Sequence, residues 1–137
     1  MSLAGKVVLV TGASKGIGKA VVERLGKDGA SVVVNYASDT AGAEAVVASI
    51  GAERALAVQA DVSTIAGIES LVSQAVKRFG RLDVVMANAG VMTMRSVMNT
   101  TEADFDKTFA INVKGPYFLV QVRSFVHQPG CCHASLV

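Results

Sequence analysis

The sequence predicts an α/β fold, a Rossmann-type doubly wound parallel sheet carried as far as a fourth strand and the helix that follows it. Three observations predict this. Short β-branched runs alternate with longer stretches of helical period, the pattern of parallel strands joined by crossover helices. Residues 6–20, KVVLVTGASKGIGKA, join a buried-strand run to a glycine-rich turn that opens an amphipathic helix. A chain of 137 residues, 51% of them apolar, has the material for one domain with its own core.

The elements follow in order. Val7–Val10 is the first strand, and after the glycines Ile17, Val21 and Leu25, with Val22 beside them, mark a helix that stops at Asp28-Gly29. Ser31–Tyr36 is the second strand. Ala43, Val46, Val47 and Ile50 form the next helix face, stopped by Gly51, and Ala55–Gln59 is the third strand, ended by Asp61. Ile65, Ile68, Leu71, Val72, Ala75, Val76 and Phe79 line a long helix closed by Gly80, before a fourth strand over 83–87. Thr101 with Asp104 three residues on is a capping pair for a further helix through Phe105, Phe109 and Val113, which Gly115-Pro116 should break or kink before helix resumes over 117–126. Residues 1–126 then form the domain, and 127–137 a divergent, irregular tail.

Composition narrows the partners. Thirteen basic and eleven acidic residues leave a charge of +2 without a Lys/Arg cluster, so nucleic acid is not an expected partner. The apolar runs are too short to cross a bilayer, so no membrane association is expected. Strand material starts within a few residues of Met1, which leaves no room for a leader and makes a cytoplasmic location the expectation. Cys131 and Cys132 are adjacent, a poor arrangement for stapling a fold, and with His127 and His133 they do not match metal-ligand spacing, so no metal is expected.

Right-handed crossovers place the first strand centrally and leave a crevice at the carboxyl ends of strands one and four. Four strand ends should meet there: the turn with Gly12, Gly16 and Gly18; Asn35 and Tyr36; Asp61 and Val62; and Asn88, Ala89 and Gly90. The turn can bring bare backbone amides to a diphosphate, and the helix behind it adds its positive dipole end. It is not an NTPase loop, because Ala13 and Ala20 stand where that motif needs glycine and a hydroxyl. It is also not the common Gly-x-Gly-x-x-Gly, since the glycines are spaced Gly-x-x-x-Gly-x-Gly.

TGASKGIG, followed by NAG at 88–90 and Asn112 in the next helix, resembles the short-chain dehydrogenase/reductase family, in particular its NADP-dependent ketoreductases such as 3-oxoacyl-carrier-protein reductase. The resemblance covers about residues 6–122. It implies a nicotinamide cofactor with its diphosphate on the amides around Ser14, Lys15, Gly16 and Ile17, its adenine beside Asp61 and Val62, and its ribose flanked by Asn88, Ala89 and Gly90. Taken singly, NAG reads as a strand-terminating turn, Lys15 as a solvated turn residue and Tyr36 as a strand-end aromatic. In series they point to a ligand.

Enzymes that use NAD place a carboxylate roughly 20 residues beyond the glycines, on the ribose 2′-hydroxyl. Neutral Asn35 stands at that place, Lys15 offers a cation, and Tyr36, Ala37 and Ser38 offer a ring edge and a hydroxyl. NADPH is therefore the expected cofactor, ahead of NAD.

The resemblance also implies a tyrosine acid/base with a lysine four residues later, an upstream serine, and an asparagine on a water relay. Asn112 matches the asparagine, with a bond to backbone near Gly115-Pro116 as its alternative role. The two tyrosines, Tyr36 and Tyr117, are followed four residues on by Thr40 and Gln121, and the serine's strand has no counterpart. The expectation is a short-chain oxidoreductase acting on a small ketone or alcohol, such as an acyl-carrier-bound or polyketide-derived ketone, represented by its cofactor half. The alternative is a non-catalytic dinucleotide- or partner-binding product. The fourth strand should form an open edge and Tyr117, Phe118, Leu119 and Val122 should be partly bare, giving a marginal, aggregation-prone monomer. In the family this helix pairs subunits, so association through it is a further expectation.

Overall fold

Val7–Val10 (β1) reads VVLV and is buried at all four positions, because helices cover both faces of the strand. In this computed structural model, which describes residues 2–126, β1 is flanked by two parallel neighbours: β2 (Ser31–Tyr36), with Val8 opposite Val32, and β4 (Val84–Met86), with Val8 opposite Val84. β3 (Ala55–Gln59) pairs with β2, so the order is β3-β2-β1-β4. The first three strands coincide with the sequence reading. The fourth is shorter than the 83–87 expected, since the Asp83 side chain takes the Val7 amide and the chain turns after Met86 through the Asn88 amide on the Met86 carbonyl.

Strand alternation sorts the core into two layers. Val8, Val10, Val32 and Val34 face α1 (Gly16–Lys27) and α2 (Thr40–Ile50), where they meet Val22 and Val46. Leu9, Val33 and Val58 face α3 (Ile65–Phe79) and meet Ile68 and Leu71. Each fully buried valine or leucine contributes about 1.5–3 kcal/mol relative to exposure.

After a short 3₁₀ turn at Val97–Asn99, the capping pair works as expected. The Thr101 hydroxyl accepts the Asp104 amide, the Asp104 carboxylate accepts the Thr101 amide, and α4 (Glu102–Phe109) begins. Gly115-Pro116 does not break the helix. A π turn at Ala110–Lys114, closed by the Gly115 amide on the Ala110 carbonyl, leads directly into α5 (Gly115–Val126). The wider turn supplies the extra residue that relieves the crowding a proline ring causes in α geometry.

The expectation that Tyr117, Phe118, Leu119 and Val122 would be partly bare holds for Tyr117 and Phe118 and is corrected for the other two. Leu119 and Val122 are buried in the α3 layer, and Phe118 is half-buried. Tyr117 is exposed, and with Phe105, Phe109, Val113 and Val120 it forms an outward apolar stripe. Among the described residues β4 is an edge, with Val84 half-exposed. The irregular tail, with His127, Cys131, Cys132 and His133, lies outside the described residues.

At the amino end of the sheet, the Asp83 carboxylate accepts Val7 N–H and Arg81 Nε, both at 2.9 Å, with Lys6 Nζ at 3.8 Å. The Arg81 hydrogen bond holds this carboxyl below the usual carboxylate range. Burial opposes the shift, while the Val7 amide and the two cations reinforce it. A folded-state pKa below the unfolded value makes the contribution fully present above about pH 4 and lost as pH falls through the folded value. We expect Asp83→Asn to cost about 1–2 kcal/mol at pH 7 by urea denaturation. The gap from wild type should narrow as the titration is repeated toward pH 3, and a gap independent of pH would contradict this role.

Candidate functional site

Beyond Val10 the chain leaves the sheet without losing it. The Thr11 amide still bonds the Met86 carbonyl and the Ala13 amide the Asn35 carbonyl. The buried Thr11 hydroxyl accepts the amides of Asn88 (3.0 Å) and Ala89 (2.9 Å), and Asn88 Nδ2 donates back to the Thr11 (2.8 Å) and Gly12 (3.2 Å) carbonyls. The turns after β1 and β4 are thereby joined.

Two glycines make this joint possible. Gly12 has φ +61°, and a Cβ there would lie 3.0 Å from Ala89 Cα. A Cβ on Gly18 would lie 2.6 Å from Asn88 Nδ2 and 2.7 Å from the Gly12 carbonyl oxygen, so α1 starts hard against the turn.

The α1 amino end differs from the others. Asp39 caps α2 by accepting the Gly42 amide, Thr64 caps α3 by accepting the Gly67 amide, and Thr101 caps α4. The α1 cap residue, Lys15, makes no side-chain cap bond, and no acidic residue stands in the first turn. Its first amides are thus left to an external acceptor, at the positive end of the helix dipole.

This end opens on a cleft of about 390 Å³ across the carboxyl ends of the strands. Of the residues singled out from sequence, Gly12, Ser14, Lys15, Asn35, Tyr36, Ala37, Ser38, Asp61, Val62, Asn88, Ala89 and Gly90 line it. Gly16, Ile17 and Gly18 stand just behind, in the first turn of α1, with Ile17 turned to solvent. Sequence reasoning missed Asp39, Ala60, Val91 and Ile111 on the lining, and Thr11 at the joint. Asp39, an acidic residue just before a helix, carried a capping signal that could have found it.

Asn35 requires a correction. Its side chain is turned inward and is 2% exposed, with Oδ1 accepting Gly12 N–H (3.3 Å) and Nδ2 donating to the carbonyls of Ala60 (3.1 Å) and Val58 (3.3 Å). It ties the β1 turn to β3, so that although Asn35 lines the cleft its side chain is largely committed to backbone. The rim beyond β2 is instead formed by Tyr36, Ala37, Ser38 and Asp39. The Asp39 carboxylate is engaged by the Gly42 amide at 3.0 Å.

Asp61 carries the second carboxylate of the rim. Hydrogen bonds from the Ser63 hydroxyl and amide hold it below the usual range against the effect of burial, so it is ionised at neutral pH. Asn112 lies in the π turn and grips one residue from both sides: Oδ1 accepts Val91 N–H at 2.9 Å and Nδ2 donates to the Val91 carbonyl at 2.8 Å. It does bond backbone, but on the arm after β4 and not beside Gly115-Pro116. Among the described residues there is no cluster of metal-ligating side chains, and no helix is long and apolar enough to cross a membrane.

The arrangement fits a dinucleotide: free amides suited to a diphosphate at one wall with a cation beside them, and an ionised carboxylate and small apolar groups along the others. Known proteins agree. The family model for short chain dehydrogenase matches residues 6–127. An uncharacterized oxidoreductase of Methylorubrum extorquens is 51% identical over 124 residues, covering 89% of this chain and 50% of its own. A short chain dehydrogenase of Burkholderia cenocepacia, solved in complex with NADP, superposes with a TM-score of 0.87 at 38% identity, covering 90% of this chain and 51% of that one. A 3-ketoacyl-(acyl-carrier-protein) reductase of Brucella melitensis, complexed with NADH, gives 0.81 at 39% identity, over 88% of this chain and 49% of that one. The chain spans about half the length of the curated relatives it matches. With its glycine turn, its NAG turn and the joint between them all inside the matched region, the chain belongs to the short chain dehydrogenase family.

Proposed function

We propose that these residues form the cofactor-holding half of an NADP(H)-dependent oxidoreductase that interconverts a small ketone and its alcohol. The observation that carries this is the uncapped amino end of α1 opening into the cleft while its neighbours are capped. The α1 amides would hold the diphosphate, Asp61 and Val62 would flank the adenine, and Asn88, Ala89 and Gly90 would take the ribose. Lys15, exposed and in no ion pair among the described residues, would meet a 2′-phosphate, with Ser38 and the Tyr36 ring beside it. With Asn35 engaged elsewhere, the preference for NADPH rests on these groups. The cofactor supplies the hydride, while the chain binds, orients and screens it.

Within the 137 residues neither tyrosine has a lysine four residues later. A general acid contributes about 10²–10⁴ in rate, so turnover by these residues alone should be weak. The exposed apolar stripe of α4 and α5 supports a second reading, a dinucleotide-binding product that pairs with intact subunits through that face. A cytoplasmic setting belongs to the same proposal.

We expect NADPH to bind tighter than NADH in a calorimetric titration, and Lys15→Ala to weaken NADPH about tenfold while changing NADH little. Equal losses for both would move Lys15 from the 2′-phosphate to the diphosphate. Gly18→Ala should abolish binding of both cofactors and destabilise the fold by about 1–3 kcal/mol, because its methyl would displace Asn88 or the Gly12 carbonyl. Retention of wild-type affinity and melting temperature by this variant would contradict the joint described above.

A further inference from the structure

We propose that Gly115 is a positioning residue for the cleft: it lets α5 lie directly on the Val62 carbonyl and so fixes the π turn that presents Asn112 to Val91. On local grounds glycine is a poor choice here. Its backbone angles, φ −55° and ψ −58°, are ordinary helical values open to any residue. Glycine within a helix is less favourable than alanine, and helical geometry is disfavoured for a residue that precedes proline, as Gly115 precedes Pro116.

Space accounts for the choice. A Cβ at 115 would stand 2.6 Å from the Val62 carbonyl oxygen and 3.4 Å from that of Ala110, so a side chain would force backbone away from backbone. Both ends of this contact lead to the cleft. Val62 lines it in the turn after β3. On the other side, the Gly115 amide closes the π turn on Ala110, and Asn112, inside that turn, holds both polar groups of Val91. Val91 and Ile111 line the same cleft, while Gly115 does not. One backbone contact therefore links the wall after β3 to the arm after β4. A displacement at Gly115 moves both.

The inference rests on the cleft being a dinucleotide site and assigns it a residue outside its lining. The test combines amide hydrogen exchange without cofactor and NADPH titration, on the wild-type chain, Gly115→Ala and Asn112→Ala. The Val91 amide should exchange about tenfold faster in both variants with β1 and β2 unchanged, and NADPH should bind roughly five- to tenfold more weakly. If Gly115 matters only to its own helix, faster exchange will stay within α4 and α5, Val91 will remain protected and NADPH affinity will hold, which overturns the proposal. Should Gly115→Ala fail to fold, Asn112→Ala decides: unchanged Val91 exchange or NADPH affinity there removes the link. A wild-type chain that binds neither NADPH nor NADH would reject the cofactor reading, while the exchange comparison would still decide the role of Gly115.

Discussion

The site depends on the union of two turns that, in a bare parallel sheet, would separate. Once β1 and β4 end, their ladder bonds end too, and the right-handed twist carries the chains apart. Thr11 and Asn88 prevent this by four hydrogen bonds across the gap, and Gly12 and Gly18 prevent it by having no side chain where those chains must touch. The α1 amino end is thereby seated against the arm after β4 by contacts internal to the chain, and order of this kind lowers the cost of binding.

The joint also explains why α1 can stand without a cap. An uncapped helix end forgoes a stabilisation of about 1 kcal/mol. At α2, α3 and α4 a side chain supplies it. At α1 the loss is offset by burial of Gly18 and Val22 and by the tight seat on Gly12, so the first-turn amides can be left to an anion. Different parts of one short segment are used: the glycines secure the seat of α1, while Ser14 and Lys15 between them line the cleft.

Most of this was legible in the sequence because its determinants are local. The strands at Val7–Val10, Ser31–Tyr36 and Ala55–Gln59, and the helix Ile65–Phe79 closed by Gly80, follow from apolar period and punctuation, and the Thr101–Asp104 box follows from spacing. The failures are contacts between distant segments. Composition gives no sign that α5 buries Leu119 and Val122 against α3, or that a π turn absorbs Gly115-Pro116. The lining residues Ala60, Val91 and Ile111 have no polar signature at all.

Asparagine shows best why the site was harder to read than the fold. Asn35 and Asn88 line the cleft and Asn112 holds Val91, which also lines it, and each suggests a functional role from its place in the sequence. In each case the side-chain amide bonds backbone: Asn35 between the β1 turn and β3, Asn88 between the two turns, Asn112 on Val91. Where strands stop pairing, unpaired backbone donors and acceptors remain, and an amide side chain is the short group that offers one of each. Aspartate can only accept at neutral pH. A rim of this construction will therefore be rich in residues that look like ligand-binding groups and act as its frame. In the proposed reading, the groups left for a ligand are those that frame does not use: the amides of α1 and the side chains of Lys15, Asp61 and Ser38, all three on the cleft lining.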